Sequence, residues 1–424
     1  MATAHLISTE GSDRATGYSM SAKLVRREDR LFIGWLDAAP THGDPARIMF
    51  GARDAATGAA VREFPLGEGV DNHCGPAFAL DRDGRLHAII GTHHGPFLYR
   101  YADNPESPAG WSEPVALGPR DTYPSLVVDA SGTLHLAHRE AGDRWQLWYR
   151  RKRAGHPWEE AQSLAISPVP GYNHYMHSLT VAPDGALHLT FQFYYSDGGS
   201  AADGYARAVV YLRSEDGGDV WLGESGRPVT TSVTIETMEA FYRRPHDAHP
   251  SLHDLRAGNH IVDARGRPWM FLTLPDAKSG SLWTRDDDAW RTIDLEPMLS
   301  PLNLARGRAT SLAADAEGRM HLLFATDPDG IETQWYDARH ELFHLALSPE
   351  GEKLSLARLT EREATSAWLP ALEPWSWATT PADRADGPWY LYTRGENAGG
   401  IGGDNASAVK TRVYLDRLDV DGGG

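Results

Sequence analysis

Short runs of alternating apolar and polar residues fill most of this chain, and each run breaks at an acidic turn that contains glycine. One such unit recurs as PAFALDRDGRLHAII from Pro76, PSLVVDASGTLHLAH from Pro124, HSLTVAPDGALHLTF from His177 and TSLAADAEGRMHLLF from Thr310, with a weaker copy, NHIVDARGRPWMFL, from Asn259. A period of two predicts β-strands, and a turn glycine near an aspartate predicts that each unit is a hairpin.

The spacing of these hairpins predicts the architecture. Their turn glycines follow one another at about 50 residues, with one longer interval of about 80, and about 50 residues hold the four short strands of one propeller blade. Two degenerate copies, AKLVRREDRLFIGWLD near the start and LEPWSWATTPADRADGPWYLYTR near the end, bring the count to seven. The sequence therefore predicts an all-β fold, a single seven-bladed β-propeller over residues 1–424, with an insertion around 223–255.

A second hairpin signal follows the unit at His177. In YLRSEDGGDVW, Ser214, Asp216, Gly218 and Trp221 fit the S-x-D-x-G-x-x-W Asp-box that is found in sialidase-like propellers. The usual role of this box is to brace a hairpin, so we expect these residues to be structural.

Composition narrows the choice of partners. The 424 residues carry a formal net charge of −17, which argues against a non-specific nucleic-acid binder because such proteins need a basic face. No apolar run approaches the length of a membrane span, and the single Cys74 excludes an intrachain disulfide. The first 20 residues lack a secretory signal pattern, so the expected location is cytoplasmic, or secreted or periplasmic if the chain is a processed form.

The repeats separate structural histidines from candidate functional ones. His87, His135, His188 and His321 occupy the same L-H or M-H slot in four units, which indicates a repeated structural role. Other polar residues are unique to one unit and lie at matching distances from their turns, so that a hairpin brings them together at its open end. We predict a funnel mouth lined by His73, His93, His94, Tyr123, Arg139, Tyr175, Arg256 and Arg308, with Tyr172 and His177 close by.

The predicted residue types favour one chemistry over others. No pair of opposed carboxylates stands out, so a two-carboxylate hydrolase is poorly supported. Zinc binding by His73, His93 and His94 is conceivable, but neighbours on a strand point to opposite faces, which separates His93 from His94. Histidine, tyrosine and arginine suit β-elimination on a uronic acid, in which arginine neutralises the carboxylate while a base and an acid move protons. No cofactor is needed for that reaction, and a structural metal ion of unknown identity stays open.

A resemblance to a known family supports this chemistry. The pattern N-H-C-G-P…D-x-D-G-x-L-H…G-x-H-H-G-P, followed by T-Y-P-S-L…D-x-x-G-x-L-H-L-x-x-R, resembles the BNR-repeat propeller polysaccharide lyases, in particular ulvan lyases, whose relatives include rhamnosyl-glucuronate lyases. The resemblance covers roughly residues 20 to 395 and is most specific at 71–97 and 122–139.

The resemblance implies roles for individual residues. His73 and Tyr123 would form the acid/base pair with His93 beside them, and Arg139 would neutralise the carboxylate of an anionic oligosaccharide or polysaccharide. Tyr172 or Tyr175 would bind the sugar, and Arg256 and Arg308 would do so in the part of the chain where the match is weaker. From their place at the predicted funnel mouth, we expect His94 and His177 to bind the substrate as well. Two alternatives stay open at this point: a rhamnosidase-like glycoside hydrolase on the same fold, and a propeller that binds carbohydrate without catalysis.

Overall fold

The computed structural model describes most of the chain. The described residues are 4–91, 93–173, 175–196, 201, 204–244, 255–275, 277, 279–286, 289–304, 310–331, 336–374, 387–398 and 403–420. Their strands form antiparallel four-stranded units, and the first strand, β1 (His5–Gly11), pairs with the last one of the chain.

Blades 1 to 3 follow in chain order. Blade 1 contains β2 (Leu24–Arg27), β3 (Arg30–Asp37), β4 (Ala46–Asp54) and β5 (Ala60–Gly69). Blade 2 contains β6 (Ala77–Leu80), β7 (Leu86–Ile90), β8 (Gly95–Ala102) and the first part of β9 (Val115–Val128), with a 3₁₀ turn at Pro108–Gly110. The second part of β9 starts blade 3, which continues with β10 (Leu134–Glu140), β11 (Gln146–Lys152) and β12 (Gln162–Ile166).

Blades 4 to 7 repeat the pattern. Blade 4 has β13 (His177–Val181), β14 (Leu187–Tyr195), β15 (Tyr205–Ser214) and the short β16 (Tyr242–Arg243), and blade 5 has β17 (Arg256–Val262), β18 (Pro268–Thr273), β19 (Ser281–Asp286) and β20 (Ala289–Asp294). Helix α1 (Glu296–Leu299) precedes blade 6, which has β21 (Thr310–Ala314), β22 (Met320–Thr326), β23 (Glu341–Leu347) and β24 (Lys353–Arg358). Blade 7 has β25 (Ser366–Leu372), β26 (Trp389–Gly395) and β27 (Thr411–Arg417), and β1 completes it.

The blades close into a ring. Each innermost strand contacts the innermost strand of the next blade, from β2 through β6, β9, β13, β17 and β21 to β25, and β26 contacts β2 again. The all-β propeller fold predicted from the repeats is therefore confirmed, and the described strands fit its seven blades. No helix among the described residues is long and apolar enough to cross a membrane.

Polar side chains on the innermost strands join neighbouring blades. The serine of the repeated S-L pair accepts a backbone N–H from the next blade, at 3.0 Å from Leu179 to Ser125, 3.2 Å from His260 to Ser178 and 3.0 Å from Leu372 to Ser311. In blade 5, Asn259 bonds both the N–H and the carbonyl of Leu312. The repeat thus encodes contacts between blades as well as the hairpin itself.

The repeated histidines are structural, as predicted. Each is buried and places Nδ1 within hydrogen-bond distance of a ring on the third strand of its blade: His87 with Tyr99 at 2.9 Å, His135 with Tyr149 at 2.7 Å, His188 with Tyr211 at 2.7 Å and His321 with His344 at 2.9 Å. In three of the blades Nε2 also lies near the turn aspartate, at 3.1–3.2 Å. These histidines tie the turn to the outer part of the blade.

The Asp-box also has the expected structural role. Ser214 donates to Asp216 at 2.8 Å and accepts the N–H of Gly218 at 2.8 Å, while the buried Trp221 packs edge-on against Tyr149. This hairpin therefore braces blade 4 against blade 3.

Candidate active site

The candidate site lies at the end of blades 1 to 3 opposite their turns, and a β-bulge in β9 helps to form it. Ala137 pairs with Ser125, but Arg139 pairs with Thr122, so β9 has one extra residue beside His138. Within this bulge Tyr123 has a φ of 60°, which is rare for an aromatic residue. Bulges next to active sites re-aim side chains, and this bulge turns the Tyr123 ring toward His73, at 6.0 Å between ring centres.

Two histidines are stacked around one carboxylate. The rings of His73 and His93 lie 4.2 Å apart, and Asp71 approaches both, with Oδ2 2.5 Å from His93 Nδ1 and Oδ1 3.4 Å from His73 Nδ1. Burial alone would raise the pKa of Asp71, but the two imidazoles hold it well below its ordinary value. Burial lowers the pKa of His73 and of His93. At neutral pH this cluster is therefore an ionised carboxylate beside two neutral imidazoles.

The segment between β1 and β2 contributes two residues that the sequence analysis did not single out. Arg14 is 6% exposed, and its Nη1 lies 2.7 Å from His73 Nε2 and 2.6 Å from the Tyr18 hydroxyl. The Tyr18 ring stacks on His73 at 5.6 Å and meets Tyr123 edge-on at 5.3 Å. The signal for this segment is its distance from the turn of the degenerate first hairpin, which is similar to the distance of the other site residues from theirs.

Arg139 lies in a cage of aromatic rings. Its guanidinium carbon is 4.5 Å from the centre of the Tyr123 ring, 4.6 Å from that of Trp145 and 5.6 Å from that of Tyr172. Nη1 donates to the Tyr172 hydroxyl at 3.2 Å, whereas Nε and Nη2 are buried without a hydrogen-bond partner among the described residues. The side chain is fully buried, and it forms no ion pair with a carboxylate of another described residue.

His94 lies next to His93, contrary to the expectation that the two side chains diverge. Their ring centres are 3.9 Å apart, and His94 also meets Trp145 edge-on at 5.3 Å. The alternation rule fails because β8 begins only at Gly95 and His94 has a φ of 62°. Burial lowers the pKa of His94 to about 3, with contributions from His93 and Arg139, so this ring is neutral as well.

Two of the predicted sugar-binding residues, Tyr175 and His177, are buried at the start of blade 4. Tyr175 is fully buried, donates to the carbonyl of Trp145 at 2.8 Å and packs against Phe193. His177 is also buried, with its ring nitrogens 2.6 Å from the Tyr175 carbonyl and 3.3 Å from that of Ala137. Their burial shows that equal distance from the turn does not fix which way a side chain points, and sugar contact by either residue stays a prediction.

The remaining predicted residues divide into two that the structure brings to the site and one that it does not describe. Tyr172 contacts Arg139 and Trp145. Arg256 is half-buried and lies in the same region. Burial lowers the pKa of its guanidinium, and the nearby Tyr194, Tyr123 and Tyr172 act in the opposite direction. Arg308 lies outside the described residues.

One group could offer ligands to a metal ion. Asp71, His73 and His93 each offer one donor atom, and these atoms lie within 4.8 Å of one another. Of the four ring nitrogens, His93 Nδ1 faces Asp71 and His73 Nε2 faces Arg14. The identity of any ion stays open.

Comparisons with known proteins identify the family. The family of BNR repeat-containing proteins matches residues 31–298, more than half of the chain, so this protein belongs to that family. A search of curated protein sequences gives no match.

Solved structures show the same fold at low sequence identity. An ulvan lyase from a family of polysaccharide lyases described as new superposes with a TM-score of 0.69 and 13% identity, over 98% of this chain and 96% of that one. A second polysaccharide lyase, Uly1, gives 0.61 and 14%, over 97% and 92%. A lectin from Burkholderia pseudomallei gives 0.53 and 10%, over 94% and 97%. These likenesses show that this chain has the fold of those two polysaccharide lyases and of the lectin.

Proposed function

We propose that this protein is a polysaccharide lyase that cleaves uronate-containing glycans by β-elimination. The observation that carries the proposal is the buried guanidinium of Arg139, two of whose nitrogens have no hydrogen-bond partner among the described residues, next to Tyr123 and the two neutral histidines. An unpaired buried cation is costly, and a carboxylate that binds two of its N–H groups would offset that cost.

The arrangement provides each group that the elimination needs. Arg139 neutralises the uronate carboxylate, which acidifies the proton on C5 of the sugar. A neutral imidazole of the stacked His73–His93 pair removes that proton, and Tyr123 protonates O4 as the bond from C4 to O4 breaks. Burial raises the pKa of Tyr123 above its ordinary value, so the phenol is protonated and suited to the role of acid.

Access to Arg139 requires an aromatic ring to move. The Arg139 side chain is fully buried, whereas Trp145, which covers it, is only half-buried. The backbone of Trp145 is fixed by hydrogen bonds from Tyr175 and from the N–H of Ser167 at 3.0 Å. We therefore propose that the indole rotates about its side-chain bonds to admit the carboxylate, while the backbone stays in place.

The substrate class is proposed from the solved relatives. The ulvan lyase has also been solved with a glucuronate–rhamnose-3-sulfate unit bound, with a TM-score of 0.67 and 13% identity to this chain. Glucuronate or iduronate linked to rhamnose is therefore the first substrate class to test.

A glycoside hydrolase is less well supported by the geometry. Among the described residues, the carboxylates of Asp13 and Asp71 approach the site, and donors engage both of them. Asp13 accepts from Asn72 at 2.8 Å and from the N–H of Ala398 at 3.0 Å, and Asp71 accepts from the histidines. Neither is placed as a free acid or base.

The test is product analysis on ulvan and on rhamnose–glucuronate oligosaccharides. Elimination creates a C4–C5 double bond conjugated to the carboxylate, which raises the ultraviolet absorbance, and one new reducing end per cleavage. New reducing ends without that absorbance would show hydrolysis instead, and binding without either product would leave a carbohydrate-binding propeller.

A further inference from the structure

The hydrogen bonds around the stacked histidines fix where each imidazole carries its proton. Arg14 Nη1 lies 2.7 Å from His73 Nε2. A guanidinium has five N–H donors and no acceptor, so in this contact Arg14 donates and His73 Nε2 accepts. The proton of neutral His73 must then be on Nδ1, which faces Asp71 Oδ1 at 3.4 Å.

On His93, Nδ1 is engaged and Nε2 is available to accept a proton. Its Nδ1 lies 2.5 Å from Asp71 Oδ2, and an ionised carboxylate only accepts, so His93 donates from Nδ1. The lone pair of His93 is therefore on Nε2, which makes no hydrogen bond to another described residue. Of the two stacked rings, His93 has the nitrogen that is free to take a proton.

We propose that His93 is the base of the elimination, and that Arg14 and Asp71 are positioning residues that assign the two histidines to different tasks. The proposal rests on the proposed lyase function. Asp71 orients His93 and fixes its tautomer, as carboxylates do for catalytic histidines. Arg14 donates a hydrogen bond to Nε2 of His73, so this nitrogen cannot take a proton and His73 stays neutral. No positive charge then forms on the ring that lies 4.2 Å from His93.

The step is balanced within the site. His93 Nε2 takes the proton from C5, the electron pair of the C5–H bond becomes the second bond between C4 and C5, and the C4–O4 bond breaks. O4 receives the proton of the Tyr123 hydroxyl. The proton on His93 then returns to the Tyr123 phenolate through water, so no other reactant is consumed.

The direct test is the tautomeric state of the resting protein. Nitrogen-15 spectra of histidine-labelled protein, dialysed against a chelator so that the rings carry protons and not a metal ion, distinguish Nδ1–H from Nε2–H imidazoles. Comparison with His73→Gln and His93→Gln spectra assigns the two rings. We expect both to be Nδ1–H at neutral pH. A proton on Nε2 of His73, or a doubly protonated His73, would overturn the proposal, and this readout needs no substrate.

The kinetic test separates the two histidines. His93→Gln should lower kcat by about 10²–10⁴, the usual contribution of a general base, whereas His73→Gln, whose amide can still accept from Arg14, should lower it less than about tenfold. Equal losses in the two variants, or the reverse order, would show that His73 is the base. If wild-type protein forms no unsaturated product, the proposed function fails, and the spectra still decide the tautomers.

Variants of the positioning residues complete the test. Asp71→Asn can donate to His93 Nδ1 and so place the proton on Nε2, with an expected loss in kcat of up to about 10⁴ and little change in KM. Arg14→Met should convert His73 to a mixture of tautomers in the spectrum and lower kcat, and Arg14→Lys should restore part of both. Thermal unfolding and oligosaccharide binding identify any variant that has merely lost its fold. Folded variants with unaltered tautomers and kcat would contradict the proposal.

Discussion

The guanidinium carbon of Arg139 lies 4.5 Å above the Tyr123 ring, so the proposed anion-binding group and the proposed acid are in direct contact. The contact depends on the bulge in β9, where Tyr123 has a positive φ while Arg139 stays in register with Thr122. Strained backbone of this kind is concentrated at functional sites.

Arg139→Lys should not preserve activity. A lysine ammonium lacks the planar pair of donors that binds a carboxylate through two N–H groups, and it does not fill the space between two rings as a guanidinium does. We expect kcat/KM on a cleaved uronate oligosaccharide to fall by about 10²-fold or more, the scale found when one oxyanion donor is removed. Arg265→Lys, an exposed arginine whose side chain pairs with Glu350, provides the matched control and should retain full activity. Full activity of Arg139→Lys would rule out this role.

Tyr123→Phe should abolish turnover and spare binding. The substitution removes only the hydroxyl, which makes no hydrogen bond to another described residue, and keeps the ring over Arg139. We expect kcat to drop by about 10²–10⁴ while the Kd for an oligosaccharide, measured by calorimetry, changes little. Tyr101→Phe removes the hydroxyl of an exposed tyrosine in blade 2 and serves as the control, with kcat expected to stay unchanged. Unchanged kcat in Tyr123→Phe would assign the acid to another group.

Trp145→Ala should expose Arg139 to solvent. In the wild type the indole covers a guanidinium that is 0% exposed. Phenylglyoxal, which modifies accessible arginines, should therefore label Arg139 in this variant and leave it unlabelled in the wild type without substrate, as read by peptide mass spectrometry. Trp158→Ala, which removes an indole that packs against Tyr99 in blade 2, should leave Arg139 unlabelled. Labelling of the wild type at the same rate would show that Trp145 is not a cover.

Lys23 should make the stability of the fold depend on pH. The side chain is 1% exposed, donates to the Pro76 carbonyl at 2.6 Å, and burial lowers its pKa to about 7. Because the unfolded chain keeps this lysine protonated up to its ordinary pKa of 10.5, the unfolded state binds more protons between these values. The free energy of unfolding should therefore rise with pH above about 7, by up to about 1.4 kcal/mol per pH unit from this group.

The comparison that isolates this effect uses Lys23→Met. Urea unfolding of both proteins at about pH 7 and about pH 9 should show a gain in stability for the wild type that exceeds the gain for the variant. An equal gain in the free energy of unfolding for the two proteins would mean that Lys23 stays charged in the folded state.

Much of the architecture could be predicted because each hairpin is encoded within a short segment. Apolar alternation and a turn such as Asp81–Gly84 determine a hairpin locally, and the repetition of that signal indicates a propeller blade. The same repetition correctly separated His87 and His135 from the unique His73 and His93. A residue that recurs in several units has a structural role in each blade, whereas a residue found in one unit is a candidate for the site.

The orientation of the site residues was less predictable. Tyr123 and Tyr175 lie at similar distances before the turns of their hairpins, yet one ring faces the site and the other donates to the backbone of Trp145 from the interior of blade 4. The difference depends on the bulge in β9 and on the packing between blades 3 and 4, neither of which leaves a period or a spacing in the sequence.

The repeat, the all-β class and the residue types available for chemistry can be read from the sequence alone, because they depend on local periodicity and turn geometry. Which of those residues meet depends on how the blades assemble into the ring. Arg14 reaches His73 across 59 positions of the chain, because β1 completes blade 7 and the segment that follows it leads to the site before β2 begins. Such a contact depends on closure of the whole ring, which no single segment encodes.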